Sequence, residues 1–317
     1  MYCQGLLTRP SVTWAGLGAT EALTRGPPNP ILSRMEEIQS DTNDRFPRVG
    51  GTLLLMLIGW TVTLGTAALF TPFLGMKATT FLGNTAGIGA AVWAGCRLSH
   101  LPKASALGLR LFPLKLIPTI ALLAVTGSVL GAEIAVWIHR IVPLPDVYQE
   151  LFADLLFADS WAEFLSRAVL LGVMAPVTEE LLFRGVIQQG LVANYGAKNG
   201  IMAAAISFGT FHLIPWQVVG VTLVGVLLGI VFHRTGSVFA GMWLHAVWNL
   251  LPLVLVSAVR VLIPETDLAS LGLDAGPPKG LGASVLVPSS LLFALGMRRF
   301  LRQTETDPAA GTGWAGA

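Results

Sequence analysis

Ala175-Pro-Val-Thr-Glu-Glu-Leu-Leu-Phe-Arg-Gly185 sets two adjacent carboxylates and a guanidinium inside a segment otherwise apolar enough to lie in a bilayer. Charge at membrane depth costs at least a few kcal/mol per group, so it marks a site, a relay or a tight ion pair. Read as a helix, at about 100° per residue, Glu179 and Glu180 point to different faces. Glu180 and Arg184 are i and i+4 and can pair directly. Glu180 is therefore expected to be held by Arg184, which leaves Glu179 free to face something else. Pro176 has no N–H and clashes with the preceding turn. It is expected to kink the segment just before the pair and open room for water at Glu179.

The surrounding composition sets the class. The chain is 53% hydrophobic and 12% charged, with a mean hydropathy of +0.68. Soluble domains carry about 25% charged residues, so an all-α polytopic transmembrane helical bundle is expected. Net charge is +2, and the basic residues sit in short clusters beside apolar runs. That pattern sets membrane orientation and gives no support to nucleic-acid binding. Cys3 and Cys96 form neither a disulfide framework nor a metal-ligand spacing.

Runs of about 20 apolar residues span a bilayer. By that criterion about eight spans are expected, near 51–74, 80–97, 115–139, 165–190, 199–214, 217–233, 236–260 and 281–298. The fifth and sixth are short, and the break His212-Leu-Ile-Pro-Trp216 between them suggests a tight helical hairpin. Arg45 and Arg48, then Arg97, Lys103, Arg110 and Lys115, then Lys198, Arg234, and Arg298, Arg299 and Arg302 fall at alternate loops. The positive-inside rule then places both termini in the cytoplasm of a multi-pass plasma (inner) membrane protein. Residues 1–50 are expected to be a disordered cytoplasmic arm, with Met35 as a plausible alternative start. Residues 51–140 hold the first transmembrane helices and 160–260 a helical core. Residues 261–300 hold a loop and the last span, and 301–317 a disordered cytoplasmic tail. The acidic stretch from Tyr148 to Glu163 reads as an interfacial helix leading into the fourth span. Glu133 is read as snorkelling or pairing locally with His139 and Arg140, outside any site.

Polar side chains within the spans are few, and they are of kinds that chemistry uses. Phe208-Gly-Thr-Phe-His212 ends the fifth span with a histidine, and His245-Ala-Val-Trp-Asn249 puts an imidazole and a carboxamide on one helix face. A carboxylate and an imidazole can hold and deprotonate a water, or bind a metal that does so. A second imidazole and a carboxamide can donate to a developing oxyanion. Each has a plainer reading alone: an interfacial histidine for His212, interhelical hydrogen-bonding glue for His245 and Asn249. Glu179 is the hardest to explain that way, because it needs a partner to be tolerated.

Glu179-Glu180-x-x-x-Arg184, Phe208-x-x-x-His212 and His245-x-x-x-Asn249, in that order on successive helices, resemble the three signature motifs of the CPBP family. That family comprises the type II CAAX prenyl endopeptidases and the bacteriocin-processing and immunity proteins, also labelled Abi. The resemblance covers roughly residues 160–260. It implies an α-helical intramembrane endopeptidase, a hydrolase acting on a peptide or membrane-protein substrate among membrane lipids. By position Glu179 would be the general base and His212 its partner in holding the water. His245 and Asn249 would form the oxyanion hole, with Glu180, Arg184 and Phe208 shaping the site, which is expected in the cytoplasmic half of the bundle. Family members are described as metalloproteases, and Glu179, His212 and His245 could supply three ligands to Zn²⁺ or another divalent metal. They carry no diagnostic spacing such as His-Glu-x-x-His, and glutamate-activated water without a metal stands equally open. Two further readings compete: a non-enzymatic immunity or scaffold protein that binds a peptide or protein partner, and an ion-coupled transporter. The transporter lacks the paired broken segments expected of two related halves.

Overall fold

The computed structural model describes residues 45–99, 107–262 and 280–305. All of them belong to the unit Arg45–Ala317, one of two into which the chain divides. Among the described residues the fold is all-α. Its elements are α1 (Val49–Leu98), a 3₁₀ turn at Leu114–Leu116 leading into α2 (Ile117–Ile141), α3 (Asp146–Leu156) and α4 (Trp161–Val169). A π turn at Leu170–Met174 follows, then α5 (Ala175–Leu182), a second π turn at Phe183–Gln188, and α6 (Gln189–Phe211). The last three are α7 (Pro215–Thr235), α8 (Val238–Leu262) and α9 (Ala283–Glu305).

Among the described residues, five helices are long and apolar enough to cross a membrane: Val49–Gly75, Leu114–Ile141, Pro215–Thr235, Val238–Leu262 and Ala283–Glu305. The chain is thus a multi-pass membrane protein. The three remaining predicted spans are also helical, but each departs from a simple apolar rod. Residues 80–97 form the second arm of α1, diluted by glycines and Asn84, and 165–190 is broken by two π turns and the charged motif. The stretch at 199–214 is the second arm of α6 up to Phe211, then the turn into α7. Both bent helices turn at a glycine in a conformation that is almost glycine-only: Gly75 (φ 76, ψ 164) and Gly196 (φ 76, ψ 164).

Small residues set how closely the helices approach. The arms of α1 meet at Gly83 and Gly87, with Thr63 Oγ1 donating to the Gly83 carbonyl at 3.1 Å. A Cβ at Gly87 would stand 2.4 Å from the Gly59 carbonyl oxygen, so only glycine permits this approach. Gly127 and Gly131 on α2 form a notch for Trp248 of α8, whose ring lies 2.7 and 2.8 Å from where their Cβ atoms would be. The expected hairpin of α6 and α7 is present: α6 ends at Phe211, Leu213 takes φ 57, and α7 starts at Pro215. The buried core centres on Leu182, Phe183, Val186, Ile187 and Leu191, packed against Ile120, Leu123, Leu228 and Leu244.

One end of the bundle gathers most of the described basic residues, with Arg140, Arg167 and Arg260 at the other. Arg48 Nε donates to Asn194 at 3.2 Å, joining the start of α1 to the bend of α6. Ser99, at the end of α1, donates to the Phe46 carbonyl at 3.2 Å. Arg110 donates from Nε and Nη2, both at 2.9 Å, to the carbonyls of Gly236 and Thr235, capping α7, whose last turn ends in a left-handed glycine. Thr119 Oγ1 donates to Gln303 Oε1 at 2.9 Å, tying α9 to the first turn of α2.

At the other end, Trp216 Nε1 donates to the Val142 carbonyl at 2.9 Å, and its ring rests on Tyr148. The predicted interfacial stretch is two helices rather than one. α3 stops at Leu156, and Ser160 caps α4 by accepting the Glu163 N–H at 3.2 Å. Glu133 accepts the backbone N–H of Leu281 at 2.6 Å, a different partner from the predicted local pair. α9 runs on to Glu305, past the predicted boundary at 301. The predicted arm up to residue 44, Met35 within it, and the tail from 306 lie outside the described residues.

Candidate active site

The motif segment α5 lies between two π turns, and Pro176 explains the first. A π turn bonds each N–H five residues back, as Ala175 N–H does to Leu170. Pro176 has no N–H for the next bond, so the Leu171 carbonyl is released. Asn249 Nδ2 takes it, donating at 3.1 Å. The proline thus acts differently from the predicted kink. The helix continues through it, and the freed acceptor fixes a carboxamide from α8.

Glu180 is the hub of the cluster. Its side chain is fully buried, and Oε1 accepts from Arg184 Nη1 at 2.9 Å and from His245 Nδ1 at 3.1 Å. A carboxylate paired with a guanidinium only accepts, so His245 carries a proton on Nδ1 and turns Nε2 the other way. Nε2 lies 3.8 Å from Glu179 Oε2. The predicted Glu180–Arg184 pair is therefore present, and it extends to His245, a partner the sequence reading did not assign to it. Gly241, one turn before His245, makes room: a Cβ there would stand 2.6 Å from Glu180 Oε2. Arg184 also donates from Nη2 to the Gly225 carbonyl at 3.2 Å, and its guanidinium lies 4.5 Å over the Phe208 ring. One turn on, Gln188 repeats the pattern by donating to the Gly229 carbonyl at 2.9 Å. The Gly225-x-x-x-Gly229 spacing on α7 was the available signal for this ladder.

Glu179 is 14% exposed, and its buried Oε2 has no hydrogen-bond partner among the described residues. His212 directs Nδ1 to the Phe208 carbonyl at 3.0 Å. The Phe208 ring meets His212 and His245 edge-on, with centroids 5.2 and 5.8 Å away, and so stands between the two imidazoles. Trp60 Nε1 donates to the Phe211 carbonyl at 2.9 Å and stacks on that ring, closing the end of α6 beside His212.

The structure therefore brings Glu179, Glu180, Arg184 and His245 into direct contact, with Asn249 held on the adjoining π turn. His212 lies across Phe208 and within 4 Å of neither carboxylate. Among the described residues, no three His, Cys, Asp or Glu side chains are gathered closely enough to hold a metal ion. Glu179, His212 and His245 do not form a ready ligand set in this arrangement. Glu179 lies about 22 Å of helix before Asn194, and His245 about 10 Å after Val238, which starts α8 at the basic end of the bundle.

Residues 161–251 match the family model of Type II CAAX prenyl endopeptidase Rce1-like proteins. The match runs from α4 into α8 and includes every residue of the cluster. No curated protein and no solved structure matches the chain. The chain accordingly carries an Rce1-like domain at residues 161–251, with α1, α2, α3 and α9 outside it.

Proposed function

We propose that the chain with this Rce1-like domain is an intramembrane endopeptidase that hydrolyses a peptide bond in a membrane-associated or lipid-modified substrate. The observation that carries the reading is Glu179 Oε2, a buried carboxylate oxygen without a hydrogen-bond partner and 3.8 Å from His245 Nε2. At that separation one water can stand about 2.8 Å from both atoms. Glu179 takes a proton from this water, and the hydroxide attacks the scissile carbonyl carbon. The tetrahedral oxyanion accepts from the second Nδ2 hydrogen of Asn249, and from His245 Nε2 when that nitrogen carries a proton, the ring being held by Glu180 at Nδ1. The proton on Glu179 then passes to the leaving amine as the C–N bond breaks. His212 is anchored on the Phe208 carbonyl, and to join in holding this water, as the motif implies, its Nε2 must reach past the Phe208 ring.

No step of this scheme runs through a metal, because the side chains are not gathered as a ligand set. Arg184 and His245 face the two glutamates within the apolar bundle. For topology we propose eight crossings, counting both arms of α1, the helix through α5 and the second arm of α6, with both termini cytoplasmic. The gathering of Arg48, Arg110 and the end of α9 at one end of the bundle supports it. We propose the plasma (inner) membrane as its host.

The test is a comparison of protein C-termini and membrane-protein fragments in cells carrying the wild-type chain, no chain, or Glu179→Gln. Fragments that appear with wild type only are expected. The same fragments with Glu179→Gln at equal protein level would make the cluster a packing device and favour the scaffold reading.

A further inference from the structure

Far along the chain from the cluster, Lys115, Arg298, Arg299 and Arg302 line a single groove of about 510 Å³ with Leu295 and Gln303. It lies where the last turns of α9 meet the entry to α2, in the size range of small-ligand clefts, about 300–1,000 Å³. The Thr119–Gln303 hydrogen bond joins its two walls. All four cations are exposed, and none makes an ion pair with a described carboxylate, Glu305 included. Like charges at i and i+4 repel, so Arg298 and Arg302 share a helix face without an acidic neighbour to offset them. The start of α2 adds the positive end of a helix dipole.

The same face of α9 continues away from the groove as an apolar stripe. Leu291, Leu292 and Leu295 are 60%, 45% and 58% exposed. From Leu291 to Arg302 is about 16 Å of helix, close to one leaflet of a hydrocarbon core about 30 Å thick. A cationic groove at one end of a leaflet-length apolar stripe matches one chemistry, an acyl chain joined to an anionic headgroup.

We propose that this groove binds the phosphate of an anionic phospholipid, with the acyl chains laid along Leu291, Leu292 and Leu295. Basic pockets between membrane helices take such headgroups by charge, worth roughly fivefold in affinity per Lys or Arg. The site is independent of the proteolytic reading and stands if that reading fails.

The test uses the purified full chain in neutral detergent and native mass spectrometry with phosphatidylglycerol, phosphatidylcholine or inorganic phosphate. Wild type is expected to retain phosphatidylglycerol at least about tenfold better than phosphatidylcholine. Arg298→Gln/Arg299→Gln/Arg302→Gln should abolish that preference, whereas removing three charges elsewhere, by Arg97→Gln/Lys198→Gln/Arg234→Gln, should leave it. Millimolar inorganic phosphate should not displace the lipid. If the groove variant fails to fold, Lys115→Gln alone should lower retention about fivefold. The proposal is overturned by equal binding of the two lipids, by equal loss in both triple variants, by displacement with phosphate, or by an unaffected Lys115→Gln chain.

Discussion

Glu180 shows how much one buried carboxylate can organise. It holds Arg184 and His245 together on Oε1, so its loss strands a cation in an apolar core. Breaking a buried pair costs about 3–5 kcal/mol. Glu180→Ala and Arg184→Ala are therefore expected to lower the amount of folded protein, read as detergent-solubilised monomer by size-exclusion chromatography. Arg184→Lys should not rescue, because one ammonium cannot reproduce the paired contacts to Glu180 and the Gly225 carbonyl. Gly241→Ala should destabilise by about 1–3 kcal/mol, since its Cβ would meet Glu180 Oε2. A melting midpoint in detergent unchanged from wild type would remove Gly241 from the account. The i, i+4 rule was enough to read the Glu180–Arg184 pair from the chain. The Glu180–His245 bond was not legible, because residues 65 apart are joined only by helix packing that no local pattern encodes.

At the scale of the element, Pro176 and the π turn before it are one device. Pro176→Ala restores an N–H that competes with Asn249 for the Leu171 carbonyl. Cleavage is expected to fall while the level of folded protein holds, and full activity in that variant would separate the turn from the site. Gly75 and Gly196 are the corresponding devices for the bends of α1 and α6. Placing Val at either should cost about 1–3 kcal/mol by forcing φ near +76 on a branched residue, measured as a lower melting midpoint. Apolar run lengths located the helices well, and the polar break at His212–Trp216 marked the hairpin. The π turns escaped because only hydrogen-bond registry separates them from an α-helix, and no residue pattern encodes that registry. For the same reason the predicted fourth span was read as a helix kinked at Pro176, where the structure has α4, α5 and two π turns.

For the whole molecule, the gathering of basic residues at one end makes topology testable by reporter fusions. Both ends of the chain are expected to report cytoplasmic, and opposite sides would contradict the eight-crossing arrangement. Composition alone fixed the class as a membrane bundle, but it could not say which segments cross, because bent arms rich in glycine carry little hydropathy. The central claim is that the bundle hydrolyses peptide bonds with Glu179 as the base. It is tested most directly by kcat/KM of purified wild type and Glu179→Gln on a farnesylated peptide with a Cys-aliphatic-aliphatic-X end. The substrate should first be checked for cleavage by the wild-type chain, or replaced by a fragment found in cells. The account predicts a loss of about 10²–10⁴ with the fold intact, and cleavage by Glu179→Gln at the wild-type rate would contradict it.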